Sequence, residues 1–197
     1  MDDQPITRPS LLVCIRDPHN SSAWSQFVAI YSPLVYRFAR RHGLQETDAA
    51  DVTQEVFCAV ARAIRQFDYD RSKGSFRGWL ITVARSKVQD FLGKRQAKNQ
   101  GIGGTEALKL IEQQPADDDE DAFVEREHRK CLFDWAVRQV RCDFQKPTWQ
   151  AFWQTSVEGK DAKEVADSLG ITVGAVYIAR SRVLARLKQT IQQVEEE

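Results

Sequence analysis

Asp161–Lys188, DAKEVADSLGITVGAVYIARSRVLARLK, is the stretch whose reading decides the fold. It predicts a short helix, a turn of a few residues and a longer basic helix near the end of the chain. Asp161 is placed to cap the first helix, and Val165, Ala166 and Leu169 give that helix an apolar face. Gly170 falls where a helix stops in a left-handed conformation, which costs glycine little. Ile171 can plug the corner, and Thr172 can cap the second helix. In the second helix Val173, Val176, Val183 and Leu187 share one stripe, with Arg182 and Arg186 one turn apart on another. This is the pattern of a helix-turn-helix whose second helix enters the DNA major groove. An ordinary helical hairpin with a solvated basic face shows the same periodicity. Glycine at the corner, small residues in the first helix and a basic stripe without acids favour DNA.

The composition around this motif sets bounds. A chain of 197 residues suits one domain of moderate size or two small ones. Its 28 basic and 28 acidic residues cancel, which argues against a generally sticky nucleic-acid binder. The charges are nevertheless segregated. Arg62–Lys98 holds ten basic residues against three acids, Asn99–Glu127 nine acids against two basic residues, and Gly174–Lys188 four basic residues and no acid. Two basic blocks joined by an acidic connector suggest two DNA-facing surfaces. Cys14, Cys58, Cys131 and Cys142 are irregularly spaced with no CxxC. His128 and Cys131 form an H-x-x-C that lacks the further close ligands of a zinc site. Buried free thiols in a reducing cytosol are therefore expected, with no metal and no cofactor. The N-terminus carries Asp2 and Asp3 and no basic-then-apolar run, so no signal peptide is read there. No apolar stretch approaches the roughly 20 residues of a membrane span. A soluble, cytoplasmic protein without membrane attachment is the expectation.

Helical periodicity dominates and almost nothing alternates with period two, so the fold class is all-α. Two small helical domains are expected, joined by a flexible acidic linker: a leader over 1–21, a first domain over 22–98, the linker over 99–121 and a second domain over 122–197. In the leader, Leu11, Leu12 and Val13 are available to dock on the first domain. A helix is predicted from Ser22 to about Arg41, with Trp24, Phe27, Val28, Tyr31, Val35 and Phe38 on its apolar face. Pro33 predicts a break or kink inside it, and Gly43 ends it. Thr47 or Asp48 opens the next helix, where Val52, Val56, Val60, Ile64 and Phe67 form the apolar repeat. After a polar loop, Asp68–Ser75, a third helix runs from about Phe76 to Arg95 and carries Trp79, Leu80, Val83, Val88 and Phe91. Gly101, Gly103, Gly104 and the acid run Asp117–Asp121 mark the linker, with a weak helix around Glu106–Gln113 and otherwise solvated chain. The second domain begins near Ala122 with a helix to about Cys142. A helix from the first-turn proline Pro147 to about Val157 follows, and then the helix-turn-helix. Each half supports a compact three- or four-helix core. The chain closes on the acidic Glu195–Glu197, with no appended regulatory domain expected.

Two segments of the first domain stand out. In Asp48–Phe57, DAADVTQEVF, the residues Asp48, Asp51, Gln54 and Glu55 lie on the polar side of a helix whose other side is core. Such a face can grip a basic partner helix or simply be wet, and spacing alone favours the wet reading. Phe76–Arg95, FRGWLITVARSKVQDFLGKR, interleaves Phe76, Trp79 and Phe91 with Arg77, Arg85, Lys87, Lys94 and Arg95. Melted DNA needs that mixture: phosphates take the charges and unstacked bases need a flat apolar surface. Phe76 and Phe91 read equally as core, and Trp79 is ambiguous.

D-A-x-D-x-x-Q-E-x-F, then F-R-x-W-L-x-x-x-A-R, then a C-terminal V-A-x-x-L-G-I-x-V-G-x-V together resemble the bacterial sigma-70 family. The short two-domain layout is similar to its extracytoplasmic-function (ECF) subgroup. The resemblance spans roughly Trp24–Lys98 and Glu125–Gln189, in the family's order. It implies a sigma-2-like and a sigma-4-like domain and a non-enzymatic initiation factor with core RNA polymerase and promoter DNA as partners. Asp48, Asp51, Gln54 and Glu55, supported by Phe57, would form the docking face for the β′ clamp helices. Tyr69, Ser72 and Lys73 of the polar loop and Arg77, Trp79, Arg85, Ser86 and Lys87 of the helix after it would capture the −10 element, opened by flipping a base. The second domain would dock on the β flap and contact the −35 element through Thr172, Gly174, Ala175, Tyr177, Ile178, Arg180, Ser181, Arg182 and Arg186. The acidic linker would follow the polymerase's RNA path. An anti-sigma factor is a candidate further partner.

The chain departs from the family's habit in two places. Tyr177, Ile178 and Ala179 stand where cations often follow G-x-V, so phosphate contact carries over but the base code does not. Ser86 stands where Asn is common, with shorter reach to a base. Two other classes compete with the sigma-factor reading. A stand-alone helix-turn-helix regulator would leave the aromatic-basic helix unexplained. An enzyme holding metal on Asp117–Asp121 would rest on consecutive carboxylates in a glycine-flanked linker, a poorly preorganised site.

Overall fold

The computed structural model describes residues 11–65, 76–100 and 118–195. Among the described residues every regular element is helical. The chain divides into two compact units, one over Leu11–Cys131 and one over Leu132–Glu197.

The first unit opens with a single turn, α1 (Leu11–Cys14), that buries Leu11 and Leu12, followed by the fully buried Ile15, while Val13 is exposed. In α2 (Ser21–Arg41) the Asn20 side chain accepts from the Ala23 N–H at 3.1 Å, the cap that starts the helix. Phe27, Ile30, Tyr31, Leu34, Val35 and Phe38 form its buried face. Val28, expected on that face, is exposed. The expected break at Pro33 is absent, since α2 is one continuous element through that residue. Proline removes only one ladder donor, and Ile30 and Leu34, both fully buried, anchor the helix on either side. Gly43, at φ +85°, takes the left-handed conformation just after the helix ends.

α3 (Glu46–Ala63) begins before the expected Thr47 or Asp48. Its cap position, Gln45, makes no side-chain cap bond. Glu46 and Asp48 in the first turn instead place negative charge beside the free N–H groups. Val52, Val56 and Val60 are buried, as is Ile64 just beyond. Phe67 and the Asp68–Ser75 loop lie outside the described residues, as do Gly101–Asp117 with the expected weak helix. α4 (Phe76–Gln100) continues five residues past the expected Arg95 and buries Phe76, Leu80, Ile81, Ala84 and Val88. Phe27 sits at the centre of this unit, with its ring 5.5 Å from Phe57, 5.8 Å from Phe76 and 4.8 Å from Tyr31. Phe76 is core, while Phe91 is only half-buried.

α5 (Asp118–Val140) starts inside the stretch expected to be linker, so from residue 118 onward the acid run is helical. Val124, His128 and Cys131 are buried on its first half, within the first unit. Leu132, Trp135, Ala136 and Val140 are buried on its second half. The helix gives way at Arg141–Asp143 to a 3₁₀ turn, short of the expected Cys142. α6 (Lys146–Ser156), α7 (Ala162–Leu169) and α8 (Val173–Glu195) complete the second unit, with Pro147 in the first turn of α6. The expectation of buried thiols holds for Cys131 alone. Cys14 is half-buried, and Cys58 and Cys142 are exposed, on the outer face of α3 and in the 3₁₀ turn. No described helix is long and apolar enough to cross a membrane.

Candidate nucleic-acid interface

The corner between α7 and α8 is built by local chemistry at three residues. Asp161 accepts from the Lys163 and Glu164 N–H groups at 2.8 and 3.4 Å. Gly170 closes α7 at φ +66°, and Ile171 N–H returns to the Ala166 carbonyl at 3.1 Å. Thr172 Oγ1 accepts from the Ala175 N–H at 3.1 Å and opens α8. Beneath the corner, Ala151, Val165, Ala166, Val176 and Ala179 form a buried cluster against which Leu169 and Ile171 pack. The stripe of α8 that faces the core is Val176, Ala179, Val183 and Leu187. Val173, expected on it, is exposed, since at about 100° per residue it falls to one side of that row.

The other predicted residues of α8 differ in surroundings. Gly174, Tyr177, Ile178, Arg180, Ser181 and Arg182 are exposed, and Ala175 is half-buried. Arg186, expected to pair with Arg182 on a basic stripe, donates from Nε to Asp143 at 2.8 Å and from a guanidinium nitrogen to Gln189 at 3.2 Å. Its charge is therefore partly spent inside the unit.

In the first unit the predicted −10 residues meet an unexpected neighbour. Arg85 is hydrogen-bonded to Glu120 of α5. Arg77 lies 3.5 Å from Glu125 and 3.0 Å from His128 Nδ1. The same helix takes Arg37 through Glu127 at 2.8 Å and Arg41 through Asp119, with His42 3.4 Å from Glu120. Arg41 also lies over the Phe123 ring, 4.6 Å from its centroid. Trp79 is half-buried with its ring 5.5 Å from Phe76. Ser86 is exposed, and Lys87 lies 3.8 Å from Asp90. Tyr69, Ser72 and Lys73 lie outside the described residues.

His128 is the most constrained of these groups. It is 1% exposed and stacks on Tyr31 at 5.5 Å. An arginine can only donate, so Nδ1 is the acceptor toward Arg77 and the neutral ring carries its proton on Nε2. Burial, and then the Arg77 charge, push its pKa from 6.5 down to about 4.

The predicted polymerase face is on α3. Asp51, Gln54 and Glu55 are exposed side by side. Asp48 is half-buried and lies 3.7 Å from Arg95 of α4, and Phe57 packs on Phe27 behind the face. Sequence reasoning missed Arg37, Arg41, Glu120, Glu125, Glu127 and His128. A signal was available, because Glu120, Val124, Glu127 or His128, and Cys131 recur at helical spacing and predict one inward stripe.

One unit holds a capped helix-turn-helix with an exposed basic second helix and the other is rich in arginine–carboxylate pairs, which defines the class as an all-helical helix-turn-helix protein. Residues 27–98 match the family description "Sigma-70 region 2". The chain is 29% identical to the RNA polymerase sigma factor CnrH of Cupriavidus metallidurans over 85% of this chain and 86% of that one. It is 28% identical to the ECF RNA polymerase sigma factor SigE of Mycolicibacterium smegmatis over 82% of this chain and 57% of that one. A solved structure of CnrH in complex with the cytosolic domain of CnrY aligns over 92% of this chain and 95% of that chain, at 22% identity and a TM-score of 0.36. Residues 27–98 thus carry a sigma-70 region 2 domain, and over more than four fifths of its length the chain is similar to RNA polymerase sigma factors, extracytoplasmic-function members among them.

Proposed function

We propose that this chain is a sigma-70 family factor of the extracytoplasmic-function group that binds core RNA polymerase through the α3 face and directs initiation at promoters with a −10 and a −35 element. The polymerase supplies the catalysis, and the chain acts in the cytoplasm without enzymatic activity of its own. Asp48, Asp51, Gln54 and Glu55 would meet the β′ clamp helices, with Phe57 bracing α3 from behind. Arg77, Trp79, Arg85, Ser86 and Lys87, with Tyr69, Ser72 and Lys73, would hold the opened −10 strand. The second unit would dock on the β flap and lay α8 in the −35 groove, and an anti-sigma factor would compete for these surfaces.

The observation that carries this reading is the start of α8. Arg180 and Arg182 are exposed, form no hydrogen bond or ion pair among the described residues, and follow a corner capped at three residues. Phosphate contacts require cations of that kind. At the −10 surface DNA phosphates would have to replace Glu120 and Glu125 on Arg85 and Arg77. Purified full-length protein added to core polymerase should yield transcripts from defined start sites, while the protein alone binds upstream duplex weakly. Tight operator binding by a dimer without polymerase would overturn the proposal in favour of a stand-alone regulator.

A further inference from the structure

The inference rests on the −35 reading of α8 and concerns what that helix reads. Successive residues turn by about 100°, so the row opposite the buried Val176, Ala179, Val183 and Leu187 is Gly174, Ile178, Ser181 and Ala185. That outermost row contains no cation and no amide. Arg180 lies on one flank, on the side of Tyr177, and Arg182 lies on the other. A helix in the major groove turns its outer row toward the base edges and its flanks toward the two phosphate walls. The arginines are thus placed for phosphates, and the bidentate guanidinium contact to guanine has no donor on the row that faces the bases.

The row offers shape and apolar surface instead. Ile178 is 54% exposed and Tyr177 is 56% exposed. Large apolar side chains exposed next to one another on a helix face mark an interaction surface. The flanking cations, and the absence of any acid from Gly174 to Lys188, select a polyanion as the cover. In the major groove the apolar partner is the C5-methyl group of thymine. Gly174 and Ala185, the small members of the row, allow close approach on either side of Ile178.

We propose that Ile178 is a specificity-determining residue of the −35 contact and reads thymine methyl groups, with Tyr177 beside it and Arg180 and Arg182 confined to phosphates. The test uses the full chain reconstituted with core polymerase and a duplex library randomised upstream of the start site. The selected upstream block should contain thymine at one or two fixed positions. Replacing that thymine by deoxyuridine removes only the methyl group and should lower occupancy roughly fourfold, the factor for burying one methyl-sized group. Ile178→Ala should show a similar loss on thymine templates and no further loss on deoxyuridine templates, the non-additivity that marks a direct contact. Ile178→Val should keep most of the preference. An enriched block that is insensitive to deoxyuridine, or a guanine preference abolished by Arg180→Ala or Arg182→Ala, would overturn the inference and leave promoter recognition intact. If no upstream block is enriched, the −35 reading itself fails and the inference fails with it.

Discussion

His128 links a single ring to the stability of the whole first unit. Its pKa is lowered to about 4 by burial and then by the neighbouring Arg77 charge, so the native state resists a proton that the unfolded chain accepts near 6.5. The unfolded state therefore binds more protons between those two values, and stability falls as pH drops through that window. Between pH 7 and pH 5 the loss should be about 2 kcal/mol. Urea unfolding of the full chain at the two pH values measures it. In His128→Phe the fall should shrink to what the carboxylates contribute, and an unchanged fall would assign the effect elsewhere. Arg182 stands at the opposite extreme, exposed on α8 with its charge unspent. Arg182→Ala should remove one phosphate contact and weaken −35-dependent initiation for all promoter sequences alike. An unchanged promoter response in run-off transcription would mean that this side chain points into solvent.

At the scale of elements, α7 and α5 behave differently under perturbation and were differently legible. Gly170 has φ +66°, and a Cβ there would meet nothing within 4 Å. Gly170→Ala should therefore destabilise the corner by about 1–2 kcal/mol through backbone conformation alone, readable as a lower melting temperature of the purified chain. This corner was readable in the sequence because Asp161, Gly170 and Thr172 act on neighbours within a few residues. α5 was not, because the arginines of other helices that meet its acids lie from 35 residues away, for Glu120 and Arg85, to 90 away, for Glu127 and Arg37. A run of acids looks solvated until the arginines that meet it are known. Val13, Val28 and Val173 were misplaced for a related reason: period alone does not say where a neighbouring element stops covering a face. On the proposed −10 reading the α5 carboxylates compete with DNA for Arg77 and Arg85. Glu120→Gln with Glu125→Gln should then raise the affinity of the full chain for an unpaired −10 oligonucleotide by several fold, on the order of 1 kcal/mol for such half-exposed pairs. Equal or weaker binding would show that α5 and DNA use different faces of these arginines.

For the whole molecule, a net charge of zero leaves no long-range field to draw the chain onto nucleic acid. Affinity must come from local patches, and the patch at the start of α8 offers few cations, with Arg186 engaged by Asp143. On the proposed function, polymerase capture is then the step that would make promoter binding strong, because a tethered second contact acts at high effective concentration. The α3 face is where the sequence and the structure leave room for that capture: Asp51, Gln54 and Glu55 are exposed, while Val52, Val56 and Val60 bury the opposite side. Substitutions confined to such a surface change stability by roughly 0.5 kcal/mol or less. Asp51→Ala with Gln54→Ala should consequently leave the melting temperature and helicity of the chain unchanged. The same double variant should weaken capture by core polymerase about tenfold, the factor for losing ~1.4 kcal/mol of interface contacts, measured by competition against the unsubstituted chain. A fall in helicity would make the face structural, whereas intact folding with undiminished capture would move the polymerase contact to another surface of the first unit.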